Sequence, residues 1–390
     1  MSVLETYDVV IIGGGAAGCT TAYMLRREGI TVALLDKGPI AREASWASAG
    51  MIGPCACTDR DPWFLAATTL SHQMYHALDH ELFELTGRRI GLGGEGEIVY
   101  VDREEDLNEL DEKVRIQKEA DVDILTMDGT TARQREPALP ETTLKAACKP
   151  NGRFLDARTY TQIIGQAARQ LGATVYEGEP VTGLVRQTDR VTGVRLGNDE
   201  IHAGTVINTA GAWAGKIDPA LSHPVKPLHG QIMSVQGPMC GLRHNVSQAV
   251  EWGYCTPRAD GRVVVGATHE NFGYRKKRTP DGMTHICGIA RRVLPVLAEQ
   301  PILEIWSGLR PQTPDGLPTI GTDPRAGAGY LWGAGHASSG MMQMPATAAV
   351  LCDLVTEKDP RLTIDQLSVE RYLDDRPVKT RDLWHRFVQI

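Results

Sequence analysis

The stretch "YDVVIIGGGAAGCTTAYMLRREGITVALLDKG", Tyr7–Gly38, decides the fold of this chain. Val9–Ile12 is an unbroken apolar run, the pattern of a strand buried on both faces of a parallel sheet. Gly13-Gly14-Gly15-Ala16-Ala17-Gly18 follows as a G-x-G-x-x-G and opens a helix running to about Arg27. Gly29 ends that helix, and Thr31–Leu35 reads as a second buried strand that stops at Asp36. Glycines in this spacing permit a tight turn, close approach of backbone to a pyrophosphate, and close packing of helix on strand. The helix start offers unpaired N–H groups and the positive end of its dipole to phosphates. Asp36 is placed to accept a hydrogen bond from a ribose hydroxyl. Strand, glycines, helix, second strand and acid occur in the required order, so the unit is expected to bind a dinucleotide. The unit alone does not choose between NAD and FAD.

The next segment bears on that choice. "EASWASAGMIGP", Glu43–Pro54, reads as a loop of small residues, where a nicotinamide enzyme would usually go straight on to another strand and helix. Small residues laid along a ligand suit one that passes deeper into the protein. Beyond it, Leu70, Met74, Leu78, Leu82 and Leu85 recur at helical spacing in "LSHQMYHALDHELFEL". His72, His76 and His80 lie off that stripe and are expected to face solvent rather than a metal.

Gly91–Val101 reads as strand-rich, and Glu104–Ala120 and Arg158–Leu171 as helices. Ala173–Gly215 alternates apolar and polar residues between turn signals as a β-meander, ending in "NTAGAW", Asn208–Trp213. Further strands, "VKPLHGQIMSV", "YCTPR" and "GRVVVGAT", read as antiparallel, and "HICGIARRVLPVLAEQ", His285–Gln300, as a helix. Segments suited to the dinucleotide sheet thus come from the beginning, middle and end of the chain. A second domain must be inserted between them.

Composition narrows the partners. The chain has 390 residues, 42% of them hydrophobic, enough for two domains. Net charge is −7 and the longest basic run is "RKKR", Arg275–Arg278, so a nucleic-acid partner is not expected. Cys55 and Cys57 form a C-x-C, but no second pair completes a zinc site, and reduced thiols in the cytosol are the simpler reading. Val9–Leu25 carries no charge, yet no Lys or Arg precedes it and glycines crowd it, so neither a signal peptide nor a membrane span is expected.

With these motifs in order, the chain resembles the D-amino-acid-oxidase superfamily of FAD enzymes, and within it the glycine oxidases. The resemblance covers nearly the whole chain. It rests on "VVIIGGGAAG", "SWASAGMIG", "NTAGAW", "YCTPRADGRVVVGAT", "WSGLRPQTPDGLPTIG" and "GAGHASSGMMQMPAT". It implies an α/β chain: a Rossmann-like FAD-binding domain of residues 1–88, 152–215 and 308–390. An antiparallel-sheet α+β substrate domain of residues 89–151 and 216–307 would be inserted into it.

The resemblance implies extended FAD, with Gly13, Gly15, Ala16, Ala17 and Gly18 at the pyrophosphate and Asp36 and Lys37 at the adenosine end. Val181 would lie near the adenine, and Ala44, Ser45, Ala49, Gly50 and Met51 along the flavin. Related dehydrogenases carry a flavin-linked histidine where this chain has Ala47, so the FAD is expected to be non-covalent. The turn His336, Ala337, Ser338, Ser339, Gly340, Met341, Met342 would aim a helix start at the flavin ring, where N–H groups stabilise the negative charge of the reduced cofactor.

For the substrate, the resemblance implies that Arg310 grips a carboxylate in bidentate fashion and that Tyr254 hydrogen-bonds it. No acid–base side chain is required if the amine binds neutral. Glycine oxidases have an aromatic residue and an arginine after the turn histidine; here Ala337 and Ser338 stand there. Loss of one charged hydrogen bond, roughly 1.5–3 kcal/mol, weakens carboxylate binding about ten- to hundredfold. A roomier pocket is expected. The implied reaction is hydride transfer from the α carbon of a small amine or amino acid to flavin N5, with imine hydrolysis to the oxo acid and O2 reduced to H2O2. An amino-acid or 2-hydroxy-acid dehydrogenase with another electron acceptor is the alternative, and a homo-oligomer is the family habit.

Overall fold

The structure is a computed structural model that describes residues 3–56, 62–251 and 253–373. Two large sheets organise it. In the first, the order is Thr319–Thr322, Tyr330–Ala334, Asp199–Asn208, Val3–Ile12, Val32–Asp36, Thr174–Glu177. The last five run parallel, and the first closes the edge antiparallel. Because side chains alternate along a strand, Val9 and Ile11 enter one core and Val10 and Ile12 the other. Both faces are therefore covered, as the unbroken apolar run requires. The helices Ala16–Arg27, Pro62–Thr86, Ala157–Gln170 and Gly340–Val355 pack together around the first of these cores.

The second sheet is ordered Ile302–Gln312, Lys226–Gln236, Arg262–Gly266, Tyr254–Pro257, Asn245–Gln248, Glu97–Val101, Lys145–Lys149, Leu125–Asp128. It is antiparallel except where Asn245–Gln248 meets Glu97–Val101. The helix Pro280–Val293 buries Ile286, Ile289, Ala290 and Val293, a stripe at helical spacing, on one face of this sheet. The other face looks across a cleft at the first sheet. Ile302–Gln312 belongs wholly to the second sheet, so a boundary at 308 falls inside a continuous strand.

Other readings change in detail. Glu43–Ala47 is a short helix and Met51-Ile52 a short strand, so this stretch is not simply a loop; five residues hold too little periodicity to show a helix. Thr174–Glu177 leaves the meander and joins Val32–Asp36 in parallel, because alternation reveals a strand but not its partner. In the stretch 285–300 the helix stops at Val293, since Pro295 forces Leu294 into extended backbone (φ −141°, ψ 88°). His76 and His80 are exposed as expected, but His72 is half-buried beside Arg153, and burial presses its pKa to about 4. Among the described residues no group of three side chains could hold a metal, no disulfide joins the cysteines, and no helix is long and apolar enough to cross a membrane. Cys57 lies outside the described residues.

Candidate active site

One continuous cleft runs between the sheets from the glycine turn to the start of the helix Gly340–Val355. Gly13 leaves its strand with φ +107°, and a Cβ there would stand 2.6 Å from the Thr209 carbonyl oxygen. That carbonyl is fixed close by because Thr209 N–H donates to Ile12 O at 2.8 Å and its hydroxyl donates to Gly13 O at 3.0 Å. "NTAGAW" is thus built against the turn. Gly15, Ala16 and Ala17 line the cleft beside Gly13. Gly18 does not: a Cβ on it would lie 1.9 Å from Gly13 O, so it serves helix–strand packing and not the ligand surface. Gly15 caps the helix without a side chain, and Ala16 N–H donates to Ser45 Oγ at 2.8 Å.

Asp36 closes the strand beyond. Its carboxylate accepts from Gly14 N–H at 2.7 Å and Gly38 N–H at 2.9 Å. Burial raises its pKa, against the pull of these two donors. Lys37 Nζ sits 3.2 Å from the centre of the Trp213 ring, a cation–π contact, and Val181 lines the same end.

Midway, Ala44, Ser45, Ala49, Gly50 and Met51 line the wall. Their backbone is pinned from two sides. Leu155 N–H donates to Gly50 O at 2.9 Å, and the buried Arg258 donates from Nη2 to Ala49 O at 2.6 Å. Ala47 presses its methyl on Gly308, where an added Cβ would meet it at 2.4 Å, while Trp306 Nε1 donates to Ala47 O at 3.2 Å.

At the far end, His336, Ala337, Ser338, Ser339, Gly340, Met341 and Met342 all line the cleft, with Ser338 exposed in it. His336 is buried against Thr347 (Nε2 to Oγ1, 2.9 Å), and burial presses its pKa to about 3, so it carries no charge at neutral pH. Pro345 lies inside the helix that starts here and has no N–H to offer the carbonyl four residues back. The Tyr75 hydroxyl donates to that Met341 carbonyl at 2.5 Å, and Ser71 Oγ accepts from Ala346 N–H at 3.1 Å. Trp63 Nε1 donates to Gln343 Oε1 at 3.0 Å. The helix Pro62–Thr86 therefore repairs the broken ladder and holds the first turn, whose N–H groups have no intrahelical acceptors, at the cleft. Tyr75 and Ser71 were not singled out by the sequence reading; a proline within a helix is the signal that a substitute donor is needed.

Arg310 and Tyr254 come together from the second sheet. Leu228 pairs with Arg310 and Gly230 with Gly308, which lays the guanidinium over Gly230; a Cβ there would stand 2.2 Å from Nη1. Arg310 Nη1 donates to Thr268 O at 3.1 Å and His229 O at 3.4 Å, and no carboxylate pairs with it among the described residues. Burial lowers its pKa; Tyr254 and then Glu270 oppose that. Burial raises the Tyr254 phenol, with Arg310 acting the other way, so the phenol stays protonated. Both line the cleft with Ser338. His269 does not line it, although burial and then Arg310 push its pKa well below the ordinary value. The arrangement offers one anion site made of backbone N–H groups and dipole, and a second made of a half-buried cation and a phenol.

Known proteins resemble this chain along most of its length. A family model, DAO, described as FAD dependent oxidoreductase, matches residues 8–354. The chain is 30% identical over 360 residues to the glycine oxidase of Pseudomonas putida, covering 90% of this chain and 95% of that one. It is 31% identical over 366 residues to the bifunctional protein ThiO/ThiG of Trichormus variabilis; that match covers 92% of this chain but 54% of the relative, so the chain spans about half of it. The structure of glycine oxidase from Geobacillus kaustophilus superposes with a TM-score of 0.87 at 27% identity, over 93% of this chain and 98% of that one.

Proposed function

Since the chain belongs to the DAO family of FAD-dependent oxidoreductases, we propose that it oxidises the Cα–N bond of a small amino acid whose carboxylate is held by Arg310 and Tyr254. The observation that carries this reading is a half-buried guanidinium with no carboxylate partner among the described residues, lining the cleft beside a protonated phenol. A planar fork of this kind suits a carboxylate. FAD, when bound, supplies the electron acceptor for the C–H bond that breaks.

The cleft fits the cofactor. A turn that Cβ atoms would fill and a helix start whose N-cap, Gly15, brings no side chain are suited to a pyrophosphate, flanked by Gly13, Gly15, Ala16 and Ala17. Asp36, Lys37 and Val181 line the end suited to the adenosine, and Ala44, Ser45, Ala49, Gly50 and Met51 with His336 to Met342 line the end suited to the ring. Ala47, closed against Gly308, leaves no nucleophile at the position where relatives attach a flavin, which supports non-covalent binding.

The net reaction removes two electrons and two protons from the substrate to give an imine. Water hydrolyses the imine to the oxo acid and ammonia (or a primary amine from a secondary amino acid), and O2 takes up the two electrons and two protons as H2O2. Of the titratable side chains lining the substrate end, the Tyr254 phenol, raised by burial, stays protonated and His336, lowered by burial, stays neutral near neutral pH. Arg310 keeps the charge of a guanidinium even though burial lowers its pKa. The amine itself therefore titrates: kcat/KM rises with pH until the substrate amine is neutral. Small Ala337 and exposed Ser338 leave space beside the carboxylate site, which supports a substrate bulkier than glycine.

Oxygen uptake and peroxide release over a panel of primary and secondary amino acids, with 2-hydroxy acids alongside, test this reading. Turnover of amino acids with stoichiometric peroxide is expected. Turnover of hydroxy acids alone would overturn it, and slow oxygen uptake with fast turnover on an artificial acceptor would make the protein a dehydrogenase. Ser338→Arg should improve glycine about tenfold relative to larger amines; no change would remove the roomier pocket.

A further inference from the structure

Behind Arg310 lies a buried acid that the proposed reaction does not use. Glu270 and His229 lie on adjacent backbone segments joined by hydrogen bonds in both directions, His229 N–H to Glu270 O at 3.0 Å and Glu270 N–H to His229 O at 2.9 Å. The Glu270 side chain accepts from three sides: His229 Nδ1 at 2.7 Å, Thr268 Oγ1 at 2.8 Å and Gln231 Nε2 at 2.8 Å. Lys277 N–H donates to His229 Nε2 at 3.1 Å, so Nε2 holds the lone pair and the proton sits on Nδ1, directed at the carboxylate. Every partner of Glu270 in this set is a donor, the arrangement that suits an ionised carboxylate. Burial works to raise its pKa, and the hydrogen bonds from His229, Thr268 and Gln231 outweigh it and hold the group below the ordinary value. His229, Gln231 and Thr268 are at most 1% exposed and Glu270 6%.

The residues this acid ties down are the ones that hold Arg310. The guanidinium bonds to the backbone carbonyls of Thr268 and His229, and the side chains of those same two residues terminate on Glu270. We propose that Glu270 is a positioning residue for Arg310. Its carboxylate fixes the two carbonyls that orient Nη1 and places a negative charge one layer behind the guanidinium. Arg310 is thereby kept in place while its remaining N–H groups stay available to a ligand carboxylate. A carboxylate in direct contact would fill the guanidinium fork; set one layer back, the same charge leaves the fork open. This inference rests on the reading of Arg310 as the carboxylate anchor.

The test uses the FAD-loaded protein and acetate as the probe, with binding followed by calorimetry. Glu270→Gln keeps the shape but must turn an NH2 group toward at least one donor. It should weaken acetate about tenfold and raise substrate KM by a similar factor, with kcat at saturation within about twofold and FAD affinity unchanged. Arg310→Ala should weaken acetate more, and adding Glu270→Gln to it should change acetate binding no further, because both act through one guanidinium. Thr268→Val, which removes one of the three donors, should weaken acetate in the same sense by a smaller factor and serves if Glu270→Gln does not fold. Acetate binding unchanged or strengthened in Glu270→Gln, or in Thr268→Val where that variant stands in, overturns the inference, as do additive losses in the double variant. Weakening by Arg310→Ala alone would leave the anchor reading intact. Acetate binding that ignores Arg310→Ala, or is absent from the unaltered protein, overturns both.

Discussion

The helices Ala16–Arg27 and Gly340–Val355 both begin at the cleft, yet the turn into the first is made by glycines next to it in sequence, whereas the start of the second is braced by a helix distant in the chain. At Ala16 the turn is made of glycines, and one acceptor, Ser45 Oγ, meets the first N–H. At Gly340 the start is a one-turn 3-10 segment, and a proline interrupts the ladder. It is held there by Tyr75, whose hydroxyl reaches a carbonyl 266 residues away. A local motif can build an anion site from backbone alone. A site that must also leave room for a substrate is assembled from separate walls.

That contrast can be broken at either end. The largest effect is expected from Gly13→Val, which puts a Cβ 2.6 Å from the Thr209 carbonyl at a φ of +107°. The purified variant should hold little or no FAD, measured as flavin per chain. Arg310→Ala should act on the other wall only: kcat/KM for an amino acid falls on the order of a hundredfold while flavin content stays complete. Loss of FAD from Arg310→Ala would mean the two walls are not separable.

Tyr75→Phe sharpens the comparison, since it touches no ligand and leaves the Met341 carbonyl without its donor. It should cost about 1–3 kcal/mol in denaturant unfolding, the cost of an unsatisfied buried acceptor. An effect near zero would mean the proline break needs no support.

Acid acts on the same helix start through His336. Its folded pKa of about 3 lies below its ordinary 6.5, so the unfolded chain binds the proton more readily. The stability from keeping it neutral is fully present above pH 6.5 and is lost as pH falls toward 3. By about pH 5 the loss is roughly 2 kcal/mol. His336→Gln should remove that part of the acid slope between neutral pH and pH 5; an unchanged slope would assign it to other groups.

Much of the first wall was legible because its causes are local. Val9–Ile12, the glycine turn, Gly29 and Asp36 follow one another within a single strand–helix–strand unit, although the Thr209 carbonyl that crowds Gly13 comes from far along the chain. Gly18 was misread as touching the ligand, since spacing does not say which glycine faces the helix and which the cleft. The second wall was legible only through resemblance. Nothing in the spacing of Tyr254 and Arg310 brings them together, because their strands are separated in the sheet by Lys226–Gln236 and Arg262–Gly266. Glu270 behind Arg310, Arg258 on Ala49 and Tyr75 on Met341 lie outside that reading. Each acts through long-range hydrogen bonds of a buried side chain (for Glu270, those to His229, Thr268 and Gln231), and sequence periodicity reports burial but not partners.

Whether the second wall reads a carboxylate, as proposed, is tested most directly by anaerobic bleaching of bound FAD by glycine, sarcosine and alanine of either hand, beside methylamine, dimethylamine and ethylamine. The account predicts that one or more of the acids bleaches the flavin, that none of the amines does at the same concentration, and that Arg310→Ala abolishes the difference by losing the acids. Bleaching by the amines as fast as by the acids, equally in the Arg310→Ala protein, would contradict it.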